Sequence, residues 1–215
     1  MKLGLLFDLD GTLLDTLEDL LDATNYALTQ CGHPPRTLPE LRRFVGNGAY
    51  NQIRLALGDT AEPEEIEKVL AVYKPYYTEH CRIKTKPYPG IPAMLKELQE
   101  NYPLAIVSNK PDNAVKALGR EYFPGIYALG ETADCPRKPA PDMVYKGMAA
   151  IGAERCIYIG DSEVDVLTAK NAGMPCLSVL WGFRDREDLE AAGAAWYCDT
   201  TDRLITCIEE MCDGK

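Results

Sequence analysis

The chain has 215 residues, 46% of them hydrophobic and 26% charged; this is the balance of a folded globular protein and rules out wholesale disorder or a collagen-like repeat. At roughly 100–200 residues per domain, the length allows one large domain or one domain with a substantial insert. Lys and Arg number 23 against 33 Asp and Glu, a net charge of −10, which argues against nucleic acid, whose phosphates need a basic face, and against an anionic membrane surface.

Met1-Lys2-Leu3 opens straight into a short apolar run broken by Asp8, which does not match a signal peptide. No apolar run approaches the ~20 residues that span a bilayer. The eight cysteines are scattered without a C-x-x-C, so free thiols and a cytoplasmic location are expected. Lys2–Phe7 is predicted as a buried strand, ended by Asp8-Leu9-Asp10-Gly11. From about Asp15 to Lys86 the signals are helical only: a first helix from Thr16 through Ala27, a second around Pro39–Phe44, then helices over 49–57 and 64–80. Lys86-Pro87-Tyr88-Pro89-Gly90 reads as a hinge back. Beyond it, helical spacing at 91, 94, 95 and 98 leads to an apolar run at 104–107. A helix through Val144, Met148 and Ile151 leads to a run at 156–159, and one from Val164 to Asn171-Ala172-Gly173 to a run at 176–180. Strands with no polar alternation are those of a parallel sheet. The expected fold is α/β: a doubly wound, Rossmann-like parallel-sheet core of residues 1–14 and 88–215, with a helical cap inserted over residues 15–87.

Four short segments carry chemistry. Asp8 and Asp10 are two apart, so on extended chain they share a side. Their mutual repulsion beside an apolar strand would be relieved by a cation with a taste for hard oxygens. Gly11 permits a tight turn that leaves N–H groups for an anion; the plain alternative is a strand ending in an Asp-Gly turn. Asp161 ends another strand with Asp165 four residues on, where the plain alternative is a helix cap by Asp161 or Ser162. Ser108-Asn109-Lys110-Pro111 ends a third with a hydroxyl and an amide, or again with a cap. Lys138 places a cation in a Pro-rich loop. Ligands of open α/β sheets bind outside the carboxyl ends of the strands, and three of the segments end there. Together they suit a phosphate with magnesium, attacked by an aspartate.

At this point the sequence resembles the haloacid dehalogenase superfamily. The matching runs are D-L-D-G-T-L-L-D-T (8–16), S-N-K-P (108–111), K-P-A-P-D (138–142) and G-D-S-E-V-D (160–165). Phe44-Val45-Gly46-Asn47-Gly48 and the Asn109-Lys110-Pro111 continuation are similar to phosphoglycolate phosphatases. The resemblance implies that Asp8 is the nucleophile and Asp10 the general acid and base. It implies that Ser108 and the N–H groups near Leu9 and Asn109 bind the phosphoryl group, with Gly11 and Thr12 in the same turn, and that Lys138 neutralises charge. Mg2+ would be held by Asp8, the Asp10 carbonyl and Asp161, with Asp165 orienting a water or Lys138. Gly46, Asn47 and Gly48 would contact the substrate from the cap. Ala140 departs from many phosphoglycolate phosphatases, which carry a larger polar residue there. Trp181-Gly182-Phe183-Arg184 resembles a family loop near the site entrance, with no role assigned to Arg184.

The expected activity is hydrolysis of a small phosphorylated metabolite, phosphoglycolate first, through an aspartyl phosphate. A β-phosphoglucomutase-like mutase or pyrophosphatase is the alternative on the same scaffold, and a non-enzymatic phospho-Asp receiver the remote one. A monomer or homodimer is expected, with neither nucleic acid nor membrane as partner.

Overall fold

The computed structural model describes residues 2–214. The chain separates into two compact units, one of them Asp15–Lys86 and the other built from the segments before and after it. Strand β1 (Leu3–Phe7) leads through a tight turn to β2 (Leu14–Asp15). Helices α1 (Leu17–Gln30), α2 (Leu38–Phe44), α3 (Gly48–Leu57) and α4 (Pro63–His80) follow, and β3 (Lys86–Pro87) pairs with β2 in a two-stranded ribbon. Helices and strands then alternate: α5 (Ile91–Gln99), β4 (Leu104–Pro111), α6 (Asp112–Tyr122), β5 (Tyr127–Glu131), α7 (Asp142–Ile151), β6 (Arg155–Gly160), α8 (Glu163–Asn171), β7 (Cys176–Val179), α9 (Arg186–Ala192), β8 (Trp196–Cys198) and α10 (Leu204–Asp213).

The main sheet has the order β5-β4-β1-β6-β7-β8, and every neighbouring pair is parallel. Successive side chains of a strand point to opposite faces. On one face Leu5, Phe7, Ile106, Ile157 and Ile159 pack with Ile91, Leu95, Val115, Leu118 and Ile208 of α5, α6 and α10. On the other, Leu6, Ala105, Val107 and Tyr158 pack with Met143, Val144 and Ala169 of α7 and α8. Both faces are covered, which is why these strands read as unbroken apolar runs. Phe7 lies opposite Ile106 on β4 and Ile159 on β6. That register sets the carboxyl ends of β1, β4 and β6 side by side at the point where the strand order reverses.

Several elements depart from the sequence expectation. The strand expected to stop at Val107 continues to Pro111, with a register shift against β5 between those residues. Pro111 therefore ends a strand, and α6 begins at Asp112. The short β2–β3 ribbon, helices α6, α9 and α10, and strands β5 and β8 have no counterpart in the sequence expectation. Strands β5 and β8 lie at the sheet edges, where half-exposed residues and a glycine weaken the apolar signal. Helix α9 buries a single apolar residue, Leu189.

Within the helical unit, α2 opens on Thr37, whose backbone N–H and hydroxyl both donate to Glu40 Oε2 at 2.8 and 2.7 Å. This capping interaction starts the helix at Leu38, one residue before Pro39. The buried Asp19 of α1 accepts backbone N–H groups from Ile83 (3.1 Å), Lys84 (3.0 Å) and Thr85 (2.8 Å). One carboxylate thus ties the segment ahead of β3 to α1. Asp19→Ala is expected to cost about 1–3 kcal/mol of stability, the penalty for orphaned buried donors, and to abolish protection of the 83–85 amides in hydrogen exchange. Unchanged protection would show that the clamp carries no energy.

Candidate active site

Asp8 is the first residue past β1, buried, with its N–H donating to Ile159 O of β6 at 2.9 Å. Lys138 comes from the loop before α7, and its Nζ donates to Asp8 Oδ1, Asp165 Oδ1 and Tyr158 Oη, each at 2.8 Å. An ammonium has three donors, so this buried one is fully used. The backbone of Lys138 is fixed as well: its N–H donates to Asn109 Oδ1 at 2.8 Å, and Asn109 Nδ2 donates to its carbonyl at 2.9 Å. Asn109 therefore anchors the lysine loop on β4. Ser108, buried beside it, accepts the Lys110 N–H at 3.2 Å.

Asp165 sits in the first turn of α8, where its Oδ2 accepts from the Ser162 N–H at 3.1 Å and the Ser162 hydroxyl at 2.6 Å. Ser162 is thus the N-cap, with Asp165 returning the capping interaction. Asp161 is held between two loops. Its Oδ1 accepts the Thr12 hydroxyl at 3.0 Å and its Oδ2 the Phe183 N–H at 2.7 Å. A Cβ on Gly11 or Gly182 would collide with the Asp161 carboxyl. Gly11 also has φ +86°, a conformation that favours glycine. Trp181 Nε1 donates to Thr12 O at 3.0 Å, closing the loop onto the turn. The same loop is pinned by Arg184, whose Nε and Nη2 reach Glu163 at 2.7 and 3.2 Å.

Asp10 meets a second lysine, with Lys110 Nζ 2.8 Å from its Oδ1 and both side chains largely enclosed. Lys110, Tyr158 and the Arg184–Glu163 pair were given no role from sequence. Lys110 was visible as the third residue of Ser108-Asn109-Lys110-Pro111, but only the extension of β4 shows that it is buried. Tyr158 read as one apolar residue of a strand. The remaining candidates, Gly46, Asn47 and Gly48, lie in the helical unit. Asn47 directly precedes α3, and both glycines have positive φ, +110° and +76°.

Asp8, Asp161 and Asp165 can bring one carboxylate oxygen each within 4.8 Å of one another. Burial is the main cause of the rise of the Asp8 carboxyl to about 7; Lys138 opposes it, and the charges of Asp165 and Asp10 add to it. Asp161 is pushed well above the usual carboxylate range, first by burial and then by Asp165 and Asp8. Burial works against the charge on Lys138, but Asp165 and Asp8 hold it well above the ordinary lysine range. Four carboxylates here meet two ammonium groups, an excess of two negative charges. Hard oxygen donors with that excess fit a divalent cation. Asp8 and Asp161 fit as ligands better than Asp165: each Asp165 oxygen already accepts two hydrogen bonds, from Lys138 and Tyr158 and from the Ser162 N–H and hydroxyl, whereas each Asp161 oxygen accepts one and Asp8 Oδ1 accepts from Lys138.

The family model of haloacid dehalogenase-like hydrolases matches residues 5–179. The "Phosphoglycolate phosphatase 1" of Pseudomonas aeruginosa is 32% identical over 219 residues, covering 97% of this chain and 80% of that protein. The phosphoglycolate phosphatase of Mesorhizobium japonicum is 35% identical over 193 residues, covering 85% and 84%. A crystal structure from Lactobacillus delbrueckii subsp. bulgaricus, whose own assignment as a phosphoglycolate phosphatase is provisional, superposes with a TM-score of 0.89 at 40% identity, covering 97% of each chain. The chain belongs to the haloacid dehalogenase-like hydrolases. Its similarity within that family runs to proteins named as phosphoglycolate phosphatases, across nearly the whole length.

The raised carboxyls set a pH signature. An unfolded Asp titrates near 4, and Asp8 in the fold near 7, so the folded protein holds more protons in that window. Metal-free protein should therefore lose stability as pH rises from about 4 to 7. A divalent cation, which binds the deprotonated ligands, should raise Tm more at pH 7.5 than at pH 5. Thermal melts across that range, with and without millimolar Mg2+, test both; a cation shift larger at pH 5 would contradict the assignment.

Proposed function

We propose that this chain is a Mg2+-dependent phosphatase that hydrolyses a small phosphomonoester, phosphoglycolate first, through an aspartyl phosphate on Asp8. The observation that carries this is the buried Asp8 carboxylate, held by Lys138 Nζ at 2.8 Å beside Asp161 and Asp165. Such a carboxylate is positioned rather than free, and phosphoryl transfer depends on positioning and charge neutralisation.

In the first step an Asp8 oxygen attacks phosphorus. The bond from phosphorus to the ester oxygen breaks as the bond to Asp8 forms, and the leaving oxygen takes a proton from Asp10. In the second, water attacks the aspartyl phosphate, gives its proton to Asp10, and releases inorganic phosphate and the Asp8 carboxylate. Lys138 offsets charge on Asp8 and the transferring group. Ser108 and the N–H groups around Leu9 and Asn109 would hold the phosphoryl oxygens, and Gly11 and Thr12 shape that turn. Mg2+, held by Asp8, Asp161 and the Asp10 carbonyl, would supply electrostatic stabilisation of the phosphoryl charge. Asp165 keeps Lys138 in place. On the family resemblance, Gly46, Asn47 and Gly48 would contact the organic part of the substrate.

A cytoplasmic setting is supported by eight free cysteines, and no helix among the described residues is long and apolar enough to cross a membrane. Purified protein should release phosphate from 2-phosphoglycolate and p-nitrophenyl phosphate with Mg2+. Asp8→Asn or chelation should lower kcat by about 10³-fold or more, the scale of losing a covalent nucleophile. Robust turnover by Asp8→Asn would refute the mechanism, and isomerisation of a sugar phosphate without phosphate release would favour the mutase.

A further inference from the structure

Two lysines are buried among the described residues, Lys138 and Lys110. Each serves a different carboxylate of the Asp8-Leu9-Asp10 pair. Lys138 is committed to Asp8, Asp165 and Tyr158, so it has no donor left for a distant part of a substrate. Lys110 is 2.8 Å from Asp10, the carboxyl on the leaving-group side of the reaction. A buried cation there is expensive, and hydrolysis of an ester with a neutral leaving alcohol gives it no task.

We propose that Lys110 binds a carboxylate of the substrate and so selects phosphomonoesters that carry one on the carbon next to the ester oxygen. The proposal rests on the phosphatase reading above and names its substrate class. A leaving oxygen that takes a proton from Asp10 stands about 2.6–3.2 Å from that carboxyl, and the ammonium stands 2.8 Å from it. Leaving oxygen and ammonium are therefore neighbours across one carboxyl group, roughly 6 Å apart at most where both engage the same oxygen. A carboxylate one carbon from the ester oxygen falls within that gap. As Asp10 turns to the leaving oxygen, the substrate carboxylate keeps Lys110 paired. A neutral ester leaves the ammonium with a poorer partner, and the site discriminates by that difference.

The test compares kcat/KM for 2-phosphoglycolate and ethyl phosphate, which differ in the carboxylate, with p-nitrophenyl phosphate as a general reporter. Wild type should prefer 2-phosphoglycolate strongly. Lys110→Met should lose about 30-fold or more on 2-phosphoglycolate beyond whatever it loses on ethyl phosphate, chiefly through KM, as expected for truncating one partner of a buried charge pair. Lys110→Arg should retain most of the discrimination, and it decides the question if Lys110→Met fails to fold. Equal losses on both esters would overturn the proposal and make Lys110 a positioning residue for Asp10. Turnover of p-nitrophenyl phosphate by wild type with no preference for 2-phosphoglycolate overturns the proposal and the choice of phosphoglycolate, and leaves the phosphatase chemistry standing. Turnover of no ester at all overturns the phosphatase reading and the proposal with it.

Discussion

Like charge packed into a dry place is the constraint around which this core is built. Asp8, Asp161 and Asp165 converge at the ends of β1 and β6, and Asp10 follows two residues after the first. Left alone, such a group would protonate or pull apart. Lys138 opposes this by donating to Asp8 and Asp165 at once, and its own placement then imposes further demands. Its third proton requires Tyr158, a phenol in an otherwise apolar face. Its backbone requires the two-way amide pairing with Asn109. The carboxylates also need room, which explains Gly11, Gly160 and Gly182. A side chain at the first or third would strike Asp161, and one at Gly160 would strike Asp165. Glycines, amide and phenol are consequences of holding three acids around one lysine.

Much of this could be read from the sequence because its signals are local. A parallel strand covered on both faces is a short apolar run, and the functional side chains sit immediately after such runs at 8, 108 and 161. What escaped reading depends on partners distant in sequence. Lys110 is an ordinary lysine until β4 is seen to run on to Pro111. Tyr158 looks like core until the Lys138 ammonium arrives from a loop 20 residues earlier. Arg184 and Glu163 are charged residues on separate elements, and only their 2.7 Å contact shows that they brace the loop that feeds the Phe183 N–H to Asp161. The edge strands β5 and β8 were hidden for the opposite reason. Neither is buried enough to need an apolar run.

The net charge of −10 and the proposed phosphate ligand look contradictory, and the site geometry reconciles them. Bulk charge acts through water and is screened beyond a Debye length of about 8–10 Å. A buried ammonium acts at contact distance, in a medium that screens far less. Both buried lysines lie at the strand ends, one on each carboxylate of the Asp8–Asp10 pair. The protein as a whole repels an anion, and so would the excess of two carboxylates at the site; the divalent cation which that excess fits, together with the two lysines, would make the strand ends favourable to one.

That concentration also divides the work between stability and chemistry. The acids that raise the energy of the metal-free fold, Asp8 and Asp161, are those proposed to receive a phosphoryl group and a cation. Strain of this kind persists only where the surroundings over-determine it. Here they do: β1 is flanked on both sides by parallel strands and covered on both faces by helices. The central position of β1 is therefore a requirement of the site. An edge strand, with one neighbour and an open side, could not hold the Asp8 carboxylate where burial opposes its charge.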